Sequence, residues 1–358
     1  MNETTFPLSG CIGIIANGAD EIDLALSEGL RCVEIRADLL IDSGLDESAV
    51  LDIVRAAQKK GLNTLLTLRR LDHGGRFSGE EQARVDFYLR AMEAGCNIVD
   101  VEWDSESGEA LIRQGVPTIL SYHNFESTPD DEVLEKLTRD MLAKNPTAIK
   151  VVPTAQSFDD GLRMLHWVAD AGDGPARIGF AMGELGGFTR LLTINFGGAI
   201  TYGSFGDACA PGQFSINDMK SLYRVESIQD DTVIVGLIAN SEAGREWAAS
   251  IVKMSTLQEG GVVTLPLVLE DLGGMKNIAT ELGIRLFLLD GETGRAMFKR
   301  KDPKSVEAEC FGINIDLEGQ LYVSPKKRFG KARGWIRNST VWLYEEQFGD
   351  DTEEDEEG

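Results

Sequence analysis

The feature that most constrains the fold is a regular alternation of short apolar runs and helical patterns over residues 11–223. We interpret the apolar runs as strands at Cys11–Ala16, Cys32–Arg36, Asn63–Arg69, Asn97–Glu102, Pro117–Tyr122, Ala148–Val152, Ala176–Met182 and Ala199–Tyr202. The helical patterns lie at Asp20–Glu28, Glu47–Lys60, Gly79–Ala94, Gly108–Gln114, Asp130–Ala143, Phe158–Ala171, Gly187–Thr193 and Ile216–Tyr223. Eight such units in succession predict an α/β fold, the (β/α)8 TIM barrel, with an open doubly wound sheet as the alternative.

The chain is too long, at 358 residues, for one typical domain. We predict a barrel over residues 1–225, a smaller α/β module over 226–345 and a disordered acidic tail over 346–358. Strand patterns in the module lie at Thr232–Ala239, Val262–Val268, Ile284–Leu289, Cys310–Ile315 and Gln320–Val323, with helical patterns at Arg245–Met254 and Leu272–Leu282. The tail is almost wholly acidic from Asp350 to Glu357, a composition that cannot bury a core.

Composition excludes several classes of partner and compartment. The formal net charge of -24 argues against nucleic-acid binding. No apolar run is long enough to cross a bilayer, and the start lacks a basic segment followed by an apolar one, so we expect no membrane association and a cytoplasmic location. The five cysteines have no metal-binding spacing, and the turn after the first strand has no phosphate-binding glycine motif, so neither a metal nor a nucleotide cofactor is predicted.

The predicted sixth strand contains a lysine among β-branched residues, in the segment Ala148-Ile149-Lys150-Val151-Val152-Pro153. An ammonium group is unfavourable inside a buried strand. Lys150 could bury its stem and extend its head to water. Alternatively, it could be kept partly neutral, so that its amine attacks a carbonyl and forms a Schiff base.

Ionisable residues close five successive predicted strands, and reacting groups in such barrels lie where strands end. Each could be an isolated ion pair or a surface charge, but together they predict one rim that contains Glu34, Arg36, Arg69, Asp100, Glu102, His123 and Lys150. Glycine-rich segments follow the seventh and eighth strands, where barrels often bind anions. Arg190 and Gln213 lie in these segments.

The motifs together resemble type I 3-dehydroquinate dehydratases over roughly residues 8–224. They occur in that family's order: Glu34-Ile35-Arg36-Ala37-Asp38, Thr67-Leu68-Arg69 followed by Gly74-Gly75, Ser121-Tyr122-His123-Asn124-Phe125 with Thr128-Pro129, Ile149-Lys150, Met182-Gly183 through Arg190, and Ala210-Pro211-Gly212-Gln213. No single motif carries the resemblance.

The resemblance implies a cofactor-free Schiff-base dehydratase of the shikimate pathway, which converts 3-dehydroquinate to 3-dehydroshikimate and water, and a homodimer. Lys150 would form the imine and His123 would transfer protons. The remaining implied roles are substrate binding: the hydroxyls by Glu34, Arg36 and Arg69, and the carboxylate by Arg190 and Gln213. Clustered arginines would also disfavour the ammonium form of Lys150.

The chain departs from the family at positions that bear on the site. His73 stands where the family has a glutamate that supports the catalytic histidine, so the partner of His123 is open: Asp72 after a loop rearrangement, or His73 itself. We also place Asp100 behind the reacting groups. Asn124 replaces an aspartate, and Cys209 replaces a serine that would bind the substrate carboxylate, which weakens one hydrogen bond.

The second module is faintly similar to the opening strand and turn of shikimate dehydrogenase at Val235-Gly236-Leu237-Ile238-Ala239-Asn240. No catalytic lysine motif and no glycine-rich dinucleotide loop follow, so the module is either a shortened remnant or an unrelated accessory unit. Two alternative functions remain for the barrel: a class I aldolase that also uses a strand lysine, or a catalytically impaired pseudoenzyme with a binding role.

Overall fold

The structure is a computed structural model that describes residues 7–206, 212–229, 232–239, 262–269, 272–298, 310–315 and 320–326. The chain divides into two compact units, Met1–Lys220 and Ser221–Gly358.

The first unit alternates strands and helices along its whole length. Its strands are β1 Gly10–Ile15, β2 Cys32–Arg36, β3 Asn63–Thr67, β4 Ile98–Glu102, β5 Thr118–Asn124, β6 Ala148–Pro153, β7 Ala176–Gly179 and β8 Ile200–Ser204. Its helices are α1 Glu21–Ser27, α2 Ala37–Asp42, α3 Glu47–Lys59, α4 Glu81–Glu93, α5 Glu106–Arg113, α6 Asp131–Leu142, α7 Phe158–Ala169 and α8 Gly187–Leu192. A 3₁₀ turn spans Leu71–His73 and a π-helical segment spans Asp218–Leu222.

The eight strands form one parallel sheet in the order β7-β6-β5-β4-β3-β2-β1-β8. The amide of Ala199, which precedes β8, donates to the carbonyl of Arg177 in β7 at 2.8 Å and links the two ends of the sheet. The order therefore runs around a nearly closed barrel without the reversal of a doubly wound sheet. The predicted (β/α)8 fold is confirmed.

The barrel interior has an apolar floor with a polar layer above it. Side chains two residues apart in a strand point to the same face. Five neighbouring strands, β2 to β6, each place an apolar residue in the floor: Cys32, Leu65, Ile98, Ile119 and Ala148. Two residues further along, the same strands place buried polar side chains: Glu34, Thr67, Asp100, Ser121 and Lys150. This alternation raises the polar groups toward the carboxyl ends of the strands while the floor excludes water.

The outer faces of the strands pack against the helices. Leu120, Ile149 and Val151 join a buried cluster with residues of α6 and α7. Helix α7 begins at a capping box in which Ser157 and Asp160 each accept from the other's backbone amide, so its N-terminal donors are satisfied. The helices thus hold β5 and β6, the two strands that carry His123 and Lys150, from behind.

The observed elements differ from the predicted ones where short-range patterns are weak. Helix α2 was not predicted, because six residues are too few for a helical period. Strand β5 continues to Asn124, so His123 lies within a strand rather than after one. The predicted last helix of the barrel is partly the π-helical segment Asp218–Leu222. The predicted helix Arg245–Met254 lies outside the described residues.

The second unit contains a smaller mixed sheet. Its elements are β9 Val233–Ile238, β10 Val262–Leu267, α9 Leu272–Leu282, β11 Leu286–Asp290, α10 Gly291–Phe298, β12 Cys310–Ile315 and β13 Leu321–Lys326. The strand order is β10-β9-β11-β12-β13, with the first three strands parallel and the last two antiparallel. A second, smaller α/β unit was predicted, and this is confirmed; the acidic tail lies outside the described residues. Within the described parts of both units, no helix is long and apolar enough to span a bilayer.

A substitution in strand β8 can test how closely the barrel wall is packed. A Cβ atom added at Gly203 would lie 2.8 Å from Cα of Ile216, a backbone atom that cannot move away freely. We therefore expect Gly203→Ala to lower the free energy of unfolding by about 1–3 kcal/mol, measured by urea titration. Gly206, where an added Cβ meets nothing within 4 Å, provides the control. Equal stability of Gly203→Ala and Gly206→Ala would contradict this packing.

Candidate active site

A pocket opens at the carboxyl ends of the barrel strands. Eight residues predicted for the site line it: Glu34, Arg36, Arg69, His73, His123, Lys150, Arg190 and Gln213. The remaining lining residues are mostly apolar or aromatic: Ile14, Gly74, Phe125, Val152, Phe180, Met182 and Tyr202.

Asp100 in β4 is the centre of the polar layer. Its Oδ2 accepts from Nζ of Lys150 at 3.0 Å, and its Oδ1 accepts from Nη2 of Arg69 at 2.7 Å and from Oγ of Ser121 at 2.6 Å. Burial alone would raise the pKa of Asp100, but the charges of Arg69 and Lys150 outweigh it and hold that pKa well below its ordinary value. The carboxylate is therefore charged at all ordinary pH values.

Lys150 has different surroundings from those expected. Its nearest charged neighbour is the Asp100 carboxylate rather than an arginine, and its Nζ lies 4.1 Å from the centroid of the Tyr202 ring. A carboxylate and an aromatic face both stabilise an ammonium group. The expectation that clustered arginines disfavour the ammonium form of Lys150 stays a prediction; in the structure, the Asp100 carboxylate binds both Arg69 and Lys150.

His123 lies next to the lysine on the neighbouring strand. Ser121 of β5 pairs with Lys150 of β6, so His123 is two residues nearer the mouth of the barrel. Strand spacing and rise put the Cα atoms of His123 and Lys150 roughly 8 Å apart. Loss of water around the ring, then the charges of Arg69 and Lys150, hold the pKa of His123 well below its ordinary value. The imidazole is neutral at pH 7 and can accept a proton.

Helix α4 supports Arg69 indirectly, because its side chains bind Glu102 and the backbone of β4. Glu102 accepts from Nη1 of Arg69 at 3.3 Å and from the amide of Arg70 at 3.0 Å, and it also binds the fully buried Arg84 of α4. The Tyr88 hydroxyl accepts from the Leu68 amide and donates to the Asp100 carbonyl, both at 2.9 Å. Arg69 is thus held by two carboxylates, and their charges raise its pKa despite burial.

Arg190 has surroundings that contrast with those of Arg69. It is buried, its guanidinium carbon lies 4.5 Å from the centroid of the Phe180 ring, and its Nε has no hydrogen-bond partner in the described part of the chain. Burial lowers its pKa to about 10, so the group remains charged at neutral pH. A buried cation without a described carboxylate partner favours an anionic ligand.

Glu34 and Arg36 lie on the β2 side of the pocket. Glu34 accepts from the Thr67 hydroxyl at 2.7 Å, and Arg36 makes a two-pronged ion pair with Asp38 at 2.8 and 2.9 Å. The Asp38 contact keeps the guanidinium at the edge of the pocket. Both side chains offer hydrogen-bonding atoms to a hydroxylated ligand.

Three described residues that were predicted for the rim or the site do not line the pocket: Asp72, Asp100 and Glu102. Asp72 is turned away from it, because its exposed carboxylate binds Arg70. Asp100 lies beneath the pocket rather than in its wall, and Cys209 lies outside the described residues. Sequence reasoning missed Tyr202 and Asp104. Tyr202 could have been found from its position two residues after the apolar Ile200, whereas no sequence pattern marks Asp104.

The hydrogen bonds and ion pairs of Asp100 lead to a prediction about the free energy of unfolding at acid pH. The carboxyl pKa is lower in the folded chain than the roughly 3.9 of an unfolded one, so its contribution is present above about pH 4 and is lost as the pH falls further. We expect Asp100→Asn to lower the free energy of unfolding at pH 7 by about 3 kcal/mol, because two buried cations lose a counter-charge.

The same variant should lose less stability than the unsubstituted protein between pH 5 and pH 2, measured by urea titration at each pH. Asp52→Asn, which alters an exposed ion pair with Arg55, is the control and should change stability by less than about 0.5 kcal/mol. Parallel pH profiles for the unsubstituted protein and Asp100→Asn would contradict the assigned role of the carboxylate.

Comparison with known proteins places this geometry in a family. A family profile described as type I 3-dehydroquinase matches residues 14–230. The 3-dehydroquinate dehydratase of Methanopyrus kandleri is 36% identical over 206 residues, which cover 57% of this chain and 92% of that protein. The crystal structure of 3-dehydroquinate dehydratase from Geobacillus kaustophilus matches with a TM-score of 0.55 and 26% identity, covering 62% of this chain and 90% of that one.

A third match extends beyond the barrel. The dehydroquinate dehydratase and shikimate dehydrogenase structure from S. pombe matches 94% of this chain and 67% of that chain, with a TM-score of 0.52 and 18% identity, and shows a likeness of fold alone. The family profile covers more than half of the chain and includes the lysine, the histidine and the arginines of the pocket. The chain belongs to the type I 3-dehydroquinase family.

Proposed function

We propose that Lys150 and His123 are the reacting groups with which this chain, a hydro-lyase of the shikimate pathway, converts 3-dehydroquinate to 3-dehydroshikimate and water. The observation that carries the proposal is a buried lysine amine and a neutral imidazole on adjacent strands of one pocket. An amine in this position can bond covalently to a ketone, and an imidazole beside it can move protons.

The first step is formation of the imine. Lys150 releases a proton to solvent, its nitrogen attacks the substrate ketone, and the hydroxyl of the resulting carbinolamine takes a proton back from solvent and leaves as water as the C=N bond forms. Asp100 is a poor base, because the two cations beside it hold its pKa very low. Its role is to keep Lys150 and Arg69 in place and to stabilise the positive charge of the iminium.

The second step is elimination. The iminium draws electrons from the neighbouring carbon, and neutral His123 removes the proton from that carbon. The electron pair then moves through the enamine and expels the hydroxyl group, which takes the proton from the His123 imidazolium and leaves as water. Hydrolysis of the conjugated iminium releases the enone and restores the lysine. Every proton that His123 takes is returned within the cycle.

Arg190 supports the substrate assignment through its unsatisfied charge. A carboxylate bound there would gain a charge-assisted hydrogen bond and remove an uncompensated buried cation. Gln213 lines the same pocket and supplies an amide for the same ligand group. On the opposite side, Glu34, Arg36 and Arg69 would position the substrate hydroxyls.

We assign residues 1–225 to the dehydratase and residues 226–345 to an accessory module related in fold to shikimate dehydrogenase. Three parallel strands followed by an antiparallel pair, together with the extent of the fission yeast match, support this relationship. Asp290 is the last residue of β11, and its carboxylate accepts from the amides of Glu292 and Thr293 in the first turn of α10. No role for this module in the dehydration is required.

Covalent trapping tests the lysine. Mixing the full chain with 3-dehydroquinate should produce the ultraviolet absorbance of a conjugated enone, and borohydride should fix one substrate-derived group on the Lys150 peptide, identified by mass spectrometry. Lys150→Ala should abolish both signals, whereas His123→Ala should keep the adduct and lose most of the absorbance. Lys136→Ala, which changes an exposed lysine, is the control. A folded chain that gives neither signal would be a pseudoenzyme, and an adduct on another lysine would exclude Lys150.

The pH dependence of kcat/KM tests the histidine. Because the pKa of His123 is lowered, its ring stays neutral at pH values below the ordinary histidine pKa of about 6.5. The acid limb of the profile should therefore lie below pH 6.5. His123→Ala should remove that limb from the residual activity. An acid limb at or above pH 6.5 that depends on His123 would contradict the assigned environment.

A further inference from the structure

The pocket contains a second imidazole that the dehydration scheme does not use. His73 ends the 3₁₀ turn after β3 and lines the pocket together with His123. In both rings Nδ1 is buried and has no hydrogen-bond partner among the described residues. Buried polar atoms are nearly always paired, so two unpaired nitrogens in one pocket need an explanation.

The turn that carries His73 is pressed against the His123 side of the pocket. A Cβ added at Gly74, which has a φ of 78°, would lie 2.4 Å from the ring of Phe125, and that ring stacks on His123 at an interplanar angle of 16°. A Cβ at Gly75 would lie 2.0 Å from the Arg69 carbonyl oxygen. Only glycines allow this approach, which brings the turn of His73 against the Phe125 ring beside His123.

The other ring nitrogen of His73 faces a carboxylate. Its Nε2 lies 3.5 Å from Oδ1 of Asp104, in the turn between β4 and α5. This contact holds the pKa of Asp104 below its ordinary value. In the tautomer that carries its hydrogen on Nε2, next to the carboxylate, the Nδ1 of His73 has a lone pair. The two Nδ1 atoms are not hydrogen-bonded to each other in the structure, and a rotation of the rings would let that lone pair accept a hydrogen from Nδ1 of His123, which leaves Nε2 of His123 unprotonated, as a base requires.

We propose that Asp104 and His73 are positioning residues that fix the tautomer and the orientation of His123 through a carboxylate–imidazole–imidazole chain. The proposal rests on the function proposed above. Asp72 cannot take this role, because its carboxylate is bound to Arg70 and exposed. Asp100 is occupied by Arg69, Lys150 and Ser121. Asp104 is thus the carboxylate that reaches His73 directly.

The charged groups around the two rings set the sign of the expected pH effect. Those that face His123 are Arg69, Lys150, Asp100 and His73, and those around the His73–Asp104 pair include Arg70. Removing the Asp104 charge makes the His123 imidazolium less stable. The acid limb of the kcat profile should therefore move to lower pH in Asp104→Asn, and kcat should fall roughly 10- to 100-fold with little change in KM.

A double-mutant cycle separates positioning from a purely structural role. Glutamate at position 73 can accept directly from His123, so in His73→Glu the Asp104 carboxylate is no longer needed. Asp104→Asn should then change kcat by less than about twofold in the His73→Glu background, against the larger loss in the parent. Asp42→Asn, which changes an exposed carboxylate at the end of α2, is the control. Equal losses in both backgrounds, or no loss in the parent, would overturn the proposal.

A spectroscopic measurement gives an answer independent of turnover. The chain has three histidines, so long-range ¹H–¹⁵N spectra with His166→Gln leave only the two rings of interest. His123 should be the Nδ1–H tautomer in the parent and should lose that preference in Asp104→Asn. An Nε2–H tautomer of His123 in the parent would overturn the proposal. Absence of any enone formation by the parent would instead refute the proposed function and leave this tautomer measurement valid.

Discussion

The buried carboxylate of Asp100, shared between two cations, is the interaction on which the rest of the site depends. Lys150 approaches it from β6 and Arg69 from the segment after β3, and Ser121 donates a third hydrogen bond. Each ion alone would be costly in the water-free interior, and they are stable there only as a group. The apolar floor below keeps water out, and α4 holds the arginine from behind. Lys150 is therefore held in place by an ion pair with Asp100.

Two buried arginines in one pocket illustrate how surroundings decide the role of a residue type. Arg69 is bound by Asp100 and Glu102, so its charge is compensated within the chain and it serves mainly as part of the framework. Arg190 lies against the Phe180 ring, and nothing described compensates its charge. The first arginine stabilises the fold and the second is available to bind an anion. From this difference we infer that a bound ligand would place its carboxylate toward Arg190 in α8.

Periodicity predicted the parts of the site that depend on strands, and loop geometry decided the rest. Lys150, His123 and Arg69 could be placed because parallel strands bring their carboxyl ends to one rim. The Lys150–Asp100 pair could not, because it depends on the stagger of β4 and β6 across the barrel. Asp104 was missed because the path of a turn, not a pattern, brings it to His73. Asp72 was considered as a partner for His123 because the sequence does not show which way the side chain of a turn residue points. In the structure it points to Arg70.

The central claim is that the Lys150 nitrogen bonds to the substrate ring while His123 faces the carbon that loses its proton. A crystal structure of the borohydride-reduced complex measures both directly. We predict continuous electron density from Nζ of Lys150 to the ring, a ring nitrogen of His123 in contact with the neighbouring carbon, and the substrate carboxylate on Arg190. Density joined to another residue, or a His123 ring turned away from the bound substrate, would contradict the account.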